Sequence, residues 1–203
     1  MLPVRFKPFI GDDYLTQDFK ILVLGESHYL NSKDLIDYHA NRQHIEQLTN
    51  NVINGYFEYK KTGVFFERWM NTFTKFGNIF NGRKLSKEET IEFWQKCSFY
   101  NYVQAPTNGP RKSPTKKEFD WSLLAFENTI ELLKPDLVVV WGYRLWHYLP
   151  RKQYEIKIID GTKIHVCNYG YNLTMMRLPH PSSSKFNFKL TDYIDKYLKT
   201  IKK

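Results

Sequence analysis

The sequence predicts an α/β protein: a three-layer α/β/α sandwich with a central, mostly parallel, four-stranded sheet. Three observations lead there. Short, continuously apolar segments, "FKILVLG" (19–25) and "DLVVVWG" (136–142), read as strands buried on both faces, as in a parallel sheet covered by helices. Segments with helical spacing alternate with such strands along the chain. At 203 residues with 42% hydrophobic content, the chain suits a single domain, 1–203, with a sizeable core.

Each element follows from local chemistry. "FKILVLG" is the first strand. "NSKDLIDYHANRQHIEQLTNNVING" (31–55) reads as a helix with Asn31 or Ser32 as cap and Gly55 beyond its end. "VFFERWMNTFTKFGNIF" (64–80) carries apolar residues at helical spacing, and "LSKEETIEFWQKC" (85–97) opens with a capping box, Ser86 to Glu89. "CSFYNYV" (97–103) is a second strand. "QAPTNGPRKSPTKKE" (104–118), with three prolines and a glycine, is a loop that ends in another capping box, Thr115 to Glu118. "FDWSLLAFENTIELLKP" (119–135) is a helix stopped by Pro135; "DLVVVWG" is the third strand; "YRLWHYLP" (143–150) is a short helix. "EIKIIDGTKIHVCNY" (155–169) is a hairpin turning at Asp160-Gly161. "NLTMMRLP" (172–179) is the last strand and "SKFNFKLTDYIDKYLKTIKK" (184–203) the closing helix.

Composition narrows the function classes. Thirty Lys+Arg against 21 Asp+Glu give a formal charge of +9, and 17% of residues are aromatic. Cations meet phosphates and flat rings stack on bases, so the composition suits a nucleic-acid partner, and suits a lysine-rich, merely solvated surface equally. Cys97 and Cys167 are too few for a disulfide framework or a four-thiolate cluster, and read as small buried side chains. No apolar run is long enough to span a membrane, and "MLPVRFKPFIGDDY" lacks the basic-then-apolar layout of a signal peptide. The expectation is a cytoplasmic monomer without membrane partner, cofactor or metal.

Ligands of such sheets sit beyond the carboxyl ends of the strands. Strand one ends in Gly25-Glu26-Ser27-His28-Tyr29, strand two carries Asn101, strand three ends at Trp141-Gly142, and the last strand runs into "LPHPSSS" with His180 between two prolines. A carboxylate, an amide, an imidazole and several hydroxyls would then line one cleft. The competing readings are a helix-capping Glu26 and a turn-forming Asn101. His39, His44, His147 and His165 fall on helices or the hairpin and read as structural or surface residues, and Lys196, Lys199, Lys202 and Lys203 as a solvated helix end.

These motifs together resemble the uracil-DNA glycosylase superfamily. "LGESHY" is similar to its first motif, Gly followed by Gln or Glu. "CSFYNYVQAPTNGPRKSPTKKEF" is similar to the Asn motif of the iron–sulfur branch, with Asn101, Pro106, Asn108, Pro114 and Glu118 in its places; "LLKPDLVVVWG" resembles the third strand, and "LPHPSSS" the His-Pro-Ser motif. The resemblance covers roughly residues 18 to 190. Three departures stand out. Ser27 occupies the position of the catalytic Asp of the best-known branch, a His-Tyr pair follows it, and the cluster cysteines are missing, so no cluster is expected.

The resemblance implies a monofunctional DNA glycosylase of base-excision repair, hydrolysing the N-glycosidic bond of a flipped-out uracil-like, damaged or modified base. Glu26 would stabilise the cationic sugar and orient water, and His180 would donate to the base oxygen. Asn101 would read the base edge, Phe65 or Phe66 would stack on it, Tyr29 would wall the pocket near C5, and Ser27 and His28 would complete its lip. Ser182, Ser183, Ser184 and Lys185 would hold phosphates, with Arg111 and Lys112 of the proline loop beside them, and Phe186 would fill the hole left in the duplex, unless it packs on the core beside Phe188. Two alternatives stay open: a catalytically inactive nucleic-acid-binding module, and a Gly-x-Ser serine hydrolase with Ser27 as nucleophile and His180 as base. A metal site from Glu26, His28 and His180 lacks a clear ligand spacing.

Overall fold

The computed structural model describes residues 5–30, 45–109 and 112–202, Asn108 in its backbone only. In chain order the elements are β1 (Phe9–Ile10), β2 (Ile21–Gly25), β3 (Tyr29–Leu30), α1 (Leu48–Thr62), α2 (Met70–Phe80), α3 (Lys87–Gln95), β4 (Cys97–Asn101), β5 (Thr107–Asn108), α4 (Lys116–Leu133), β6 (Leu137–Trp141), α5 (Tyr143–Tyr148), β7 (Glu155–Ile159), β8 (Thr162–Asn168), β9 (Asn172–Leu178) and α6 (Thr191–Ile201). Among the described residues no helix is long and apolar enough to cross a membrane.

The sheet corrects the four-stranded, mostly parallel expectation. Among the described residues it has seven strands in the order β1-β4-β2-β6-β9-β8-β7 and is mixed. The four anticipated strands, β4, β2, β6 and β9, form a parallel centre. Antiparallel pairs extend it on both sides: β1 on β4, and β8 and β7 beyond β9. Two residues of β1 are too few to show a period. The β8–β9 reversal runs through Tyr169-Gly170-Tyr171, with Gly170 at φ 82°, where only glycine sits without strain. That tight return carries the predicted hairpin, which does turn at Asp160-Gly161 (φ 50° and 71°), into the main sheet.

Alternate residues of the central strands feed two cores. Val23, Phe99, Val139 and Met176 pack on the side of α1, α2 and α6, while Leu22, Leu24, Tyr100, Val138, Val140 and Met175 pack on the side of α4 and α5. β2 and β6, in the middle of this centre, bury both faces, which is why their sequences are apolar throughout; β4 carries Ser98 and Asn101, and β9 carries an exposed Arg177. Cys97 and Cys167 are buried free thiols. Both capping boxes form, Ser86 with Glu89 and Thr115 with Glu118.

Three helix boundaries differ from the expectation. α1 runs through exposed Gly55 and ends at left-handed Gly63, because burial of Ile53, Tyr56 and Phe57 outweighs the roughly 1 kcal/mol that a mid-helix glycine costs. Its expected start, with Asn31, Ser32, His39 and His44, lies outside the described residues. α2 begins at Met70 rather than Val64, and α6 at Thr191 rather than Ser184.

Candidate active site

The parallel register sets Gly25 beside Asn101 and Trp141 beside Leu178, so the carboxyl ends of the four central strands share one edge. A cavity of about 680 Å³ opens there, lined by Glu26, Ser27, His28, Tyr29, Asn101 and His180 among others. The segment after β2 stays extended because the chain after β4 is bonded to it: Tyr102, Val103 and Thr107 donate their N–H groups to the carbonyls of Gly25, Glu26 and His28.

Asn101 and His28 form the inner wall. Asn101 Nδ2 donates to His28 Nε2 at 3.1 Å, and Thr49 Oγ1 lies 3.0 Å from the same nitrogen. Burial pushes the His28 pKa down to about 3, so the ring is neutral and accepts at Nε2. Asn101 Oδ1 sits against Gly25, where an added Cβ would meet it at 2.2 Å; this is what requires glycine at the end of β2. The amide keeps one N–H and Oδ1 side by side, a donor and an acceptor for a ligand edge.

Glu26 is held from α5. Arg144 Nε donates to Glu26 Oε2 at 2.7 Å, a second bond runs from Nη2 to Oε1, and Nη1 donates to Ser113 Oγ. The Glu26 side chain is 10% exposed and that of Arg144 46%. Hydrogen bonding to Glu26 raises the Arg144 pKa further. Arg144 thus ties the first motif to the proline loop. Sequence reading missed it; the available signal was its place two residues beyond Gly142, at the end of the third strand.

His180 is oriented by its own loop. The Ser182 N–H donates to His180 Nδ1 at 3.1 Å, and Ser182 Oγ lies 2.7 Å from that atom. A backbone N–H only donates, so Nδ1 is unprotonated and Nε2 carries the hydrogen. Burial lowers the His180 pKa, Glu26 opposes this and Arg144 adds to it, keeping the ring neutral. The Ser183 N–H bonds the His180 carbonyl at 2.8 Å, so the amides of Ser182 and Ser183 are turned inward and a phosphate would meet hydroxyls instead. Ser182, Ser183 and Lys185 line the cavity; Ser184 is exposed outside its lining.

The aromatic wall corrects two expectations. Phe65 and Phe66 are not in the lining: Phe65 is 84% exposed, and Phe66 packs on Tyr59 at 5.3 Å. The residues after Gly63 form a loop rather than the first turn of α2, which turns these rings outward. Trp69 and Phe73, four apart, line the cavity with Phe99 and Trp141. Phe186 is not a free wedge. It is fully buried and stacks on Phe76 at 6.1 Å, with Lys75 Nζ 5.9 Å from its ring centroid and bonded to the Ser183 carbonyl at 2.9 Å. Phe188, its proposed companion, is 48% exposed. Arg111 lies outside the described residues, and Lys112 is exposed outside the lining.

The geometry does not support the hydrolase alternative. Ser27 Oγ is buried with no hydrogen-bond partner among the described residues, and His180 Nδ1 is engaged by Ser182, so no base activates that hydroxyl. Among the described residues no three His, Cys, Asp or Glu side chains converge as metal ligands; Glu26 is gripped by Arg144 and His28 by Asn101. A carboxylate, a neutral imidazole donor and an amide around an aromatic slot suit a flat polar ring with charge developing on either side of a scissile bond.

No curated protein sequence matches the chain. A family model, the uracil DNA glycosylase superfamily, matches residues 13–202, a span that holds every one of these lining residues. With the four motif segments meeting at one sheet edge and that match covering nearly the whole chain, the chain belongs to the uracil DNA glycosylase superfamily.

Proposed function

We propose that the chain hydrolyses the N-glycosidic bond of a base flipped out of DNA and leaves an abasic site. The observation that carries this is His180: a neutral ring in the cavity lining, its Nδ1 occupied by the Ser182 N–H, leaves Nε2–H as a donor for a base oxygen. As the C–N bond breaks, its electron pair moves onto the base, where that donor meets the growing charge. Water adds its hydroxide to the sugar carbon, and its proton leaves with the base or to solvent. Glu26, oriented by Arg144, accepts from that water and faces the cationic sugar. Asn101 reads the base edge, and Trp69, Phe73 or Phe99 offers the stacking face.

A second reading, a binding module without catalysis, is favoured by Ser27 at the position of the catalytic Asp of the superfamily's best-known branch. One experiment separates them. Oligonucleotides carrying uracil, hypoxanthine or 5-substituted pyrimidines are incubated with the protein and treated with alkali. Strand scission at the modified base is the expected result; binding without scission on the whole panel would leave the module reading. Borohydride should trap no adduct, and activity should persist in chelator. Lys185 is the one lysine in the described lining, so an adduct abolished by Lys185→Met would move the chemistry to an amine nucleophile.

A further inference from the structure

Beside the cavity, α5, the segment that follows it and the end of β9 carry a ladder of arginines and rings. Tyr143 lines the cavity and is 54% exposed. The Arg177 guanidinium lies 5.9 Å from the Tyr143 ring centroid and 5.9 Å from that of Trp146. On the same indole, Arg151 lies 5.2 Å from Trp146 and 4.9 Å from Tyr154. The floor is rigid. Trp146 is 6% exposed and packs edge-on to His165 at 4.9 Å, and Tyr154 Oη is bonded to His165 Nδ1 at 2.6 Å.

Neither Arg177 nor Arg151 has a hydrogen-bond or carboxylate partner among the described residues, whereas Arg83 is paired with Glu89 and Arg144 with Glu26. A guanidinium that lies over rings and meets no acceptor keeps its N–H groups available, in the fork geometry that suits phosphate oxygens. The local field is positive: after burial, the causes that lower the His165 pKa are Arg177, Arg151 and Lys163.

We propose that Arg177 and Arg151, lying over the rings of Tyr143, Trp146 and Tyr154, are a track for the nucleic-acid strand that continues from the nucleotide held in the cavity. This rests on the reading that the cavity takes a nucleotide, and adds where the flanking strand runs. Tyr143 is the junction: it belongs to the cavity rim and to the first rung. The guanidiniums bond successive phosphates, and the exposed Tyr143 ring offers a stacking face to the adjoining base.

The test is anisotropy of a fluorescein-labelled oligothymidylate, titrated over a range of salt. Arg151→Met/Arg177→Met keeps an apolar stem on the rings and removes both charges. The expected result is weaker binding, with the slope of log affinity against log salt reduced by about 1.4, on roughly 0.7 per phosphate contact for a single strand. Lysine at both positions should recover the slope but not the full affinity. An unchanged slope in the methionine variant overturns the track. So does a fall in melting temperature with unaltered DNA binding, the mark of stacking that serves the fold alone. If the wild type binds this strand with the full slope but releases no modified base, the glycosylase reading fails and the track stands. If it releases bases and the variant slope is unchanged, the track alone fails.

Discussion

Arg144 closes a fork on the Glu26 carboxylate, with Nε donating to Oε2 at 2.7 Å and Nη2 to Oε1. The carboxylate is therefore fixed in orientation, and part of its field is offset by the guanidinium of a side chain that is itself nearly half exposed. A fixed acceptor for water, more than a bare anion, is what this geometry offers the reaction.

Glu26→Ala should cut base release by roughly a hundredfold or more, the usual scale for such a group. Affinity for DNA should hold or rise, because Arg144 is then left uncompensated beside the strand. Single-turnover rates and anisotropy on the same oligonucleotide measure both. Unchanged turnover would assign the carboxylate role elsewhere.

Phe186→Ala tests the corrected placement of that ring. A fully buried phenylalanine stacked on Phe76 predicts a loss of about 3–5 kcal/mol of stability. Activity on single and double strands should fall together. Denaturant midpoints together with rates on both substrates decide it; a stable variant impaired on duplex alone would restore the wedge.

The parallel centre was legible because strands buried on both faces are apolar throughout, as in "ILVLG" and "LVVVW". The β7–β8 hairpin was legible in its turn at Asp160-Gly161, but its place in the main sheet was not, nor was the two-residue β1. β7 is exposed along its whole length, and what carries it into the sheet is a tight return at Gly170. Glu26, Asn101 and His180 were readable from their places at strand ends. Arg144 was not, since its meaning comes from a contact with a residue 118 positions away. Phe65 and Phe66 were misread because one turn of helix became loop, while Trp69 and Phe73 kept the i, i+4 spacing that puts them on one face.

His28 should make stability fall with acid. Its folded pKa, about 3, lies below the ordinary 6.5, so the unfolded chain binds the proton first. The contribution is intact above about pH 6.5 and is lost as pH falls toward 3, with a slope of about 1.4 kcal/mol per pH unit. His28→Gln keeps an acceptor for Asn101 and removes the titration. Between pH 7 and pH 5 the wild type should lose about 2 kcal/mol more than this variant in denaturant melts; equal losses would mean that the imidazole is not held neutral.

Asn101→Asp joins that wall to base choice. Asn101 Nδ2 donates to His28 Nε2, and one N–H and Oδ1 remain for the ligand. Aspartate removes the donor on both sides. Toward His28 it sets a carboxylate against a buried neutral imidazole, and an opposite charge at that distance favours the protonated ring. The His28 ring resonances should then titrate at higher pH than in the wild type. Toward the ligand, the site keeps an acceptor where a uracil-like edge presents its carbonyl, and acceptance should move toward bases that present an amino group there. Release measured across uracil- and cytosine-type substrates, with the ring titration followed by NMR, checks both halves. An altered titration with unchanged base preference would confine Asn101 to holding His28, whereas an altered preference with an unchanged titration would mean that the Asn101–His28 bond is not what orients the amide.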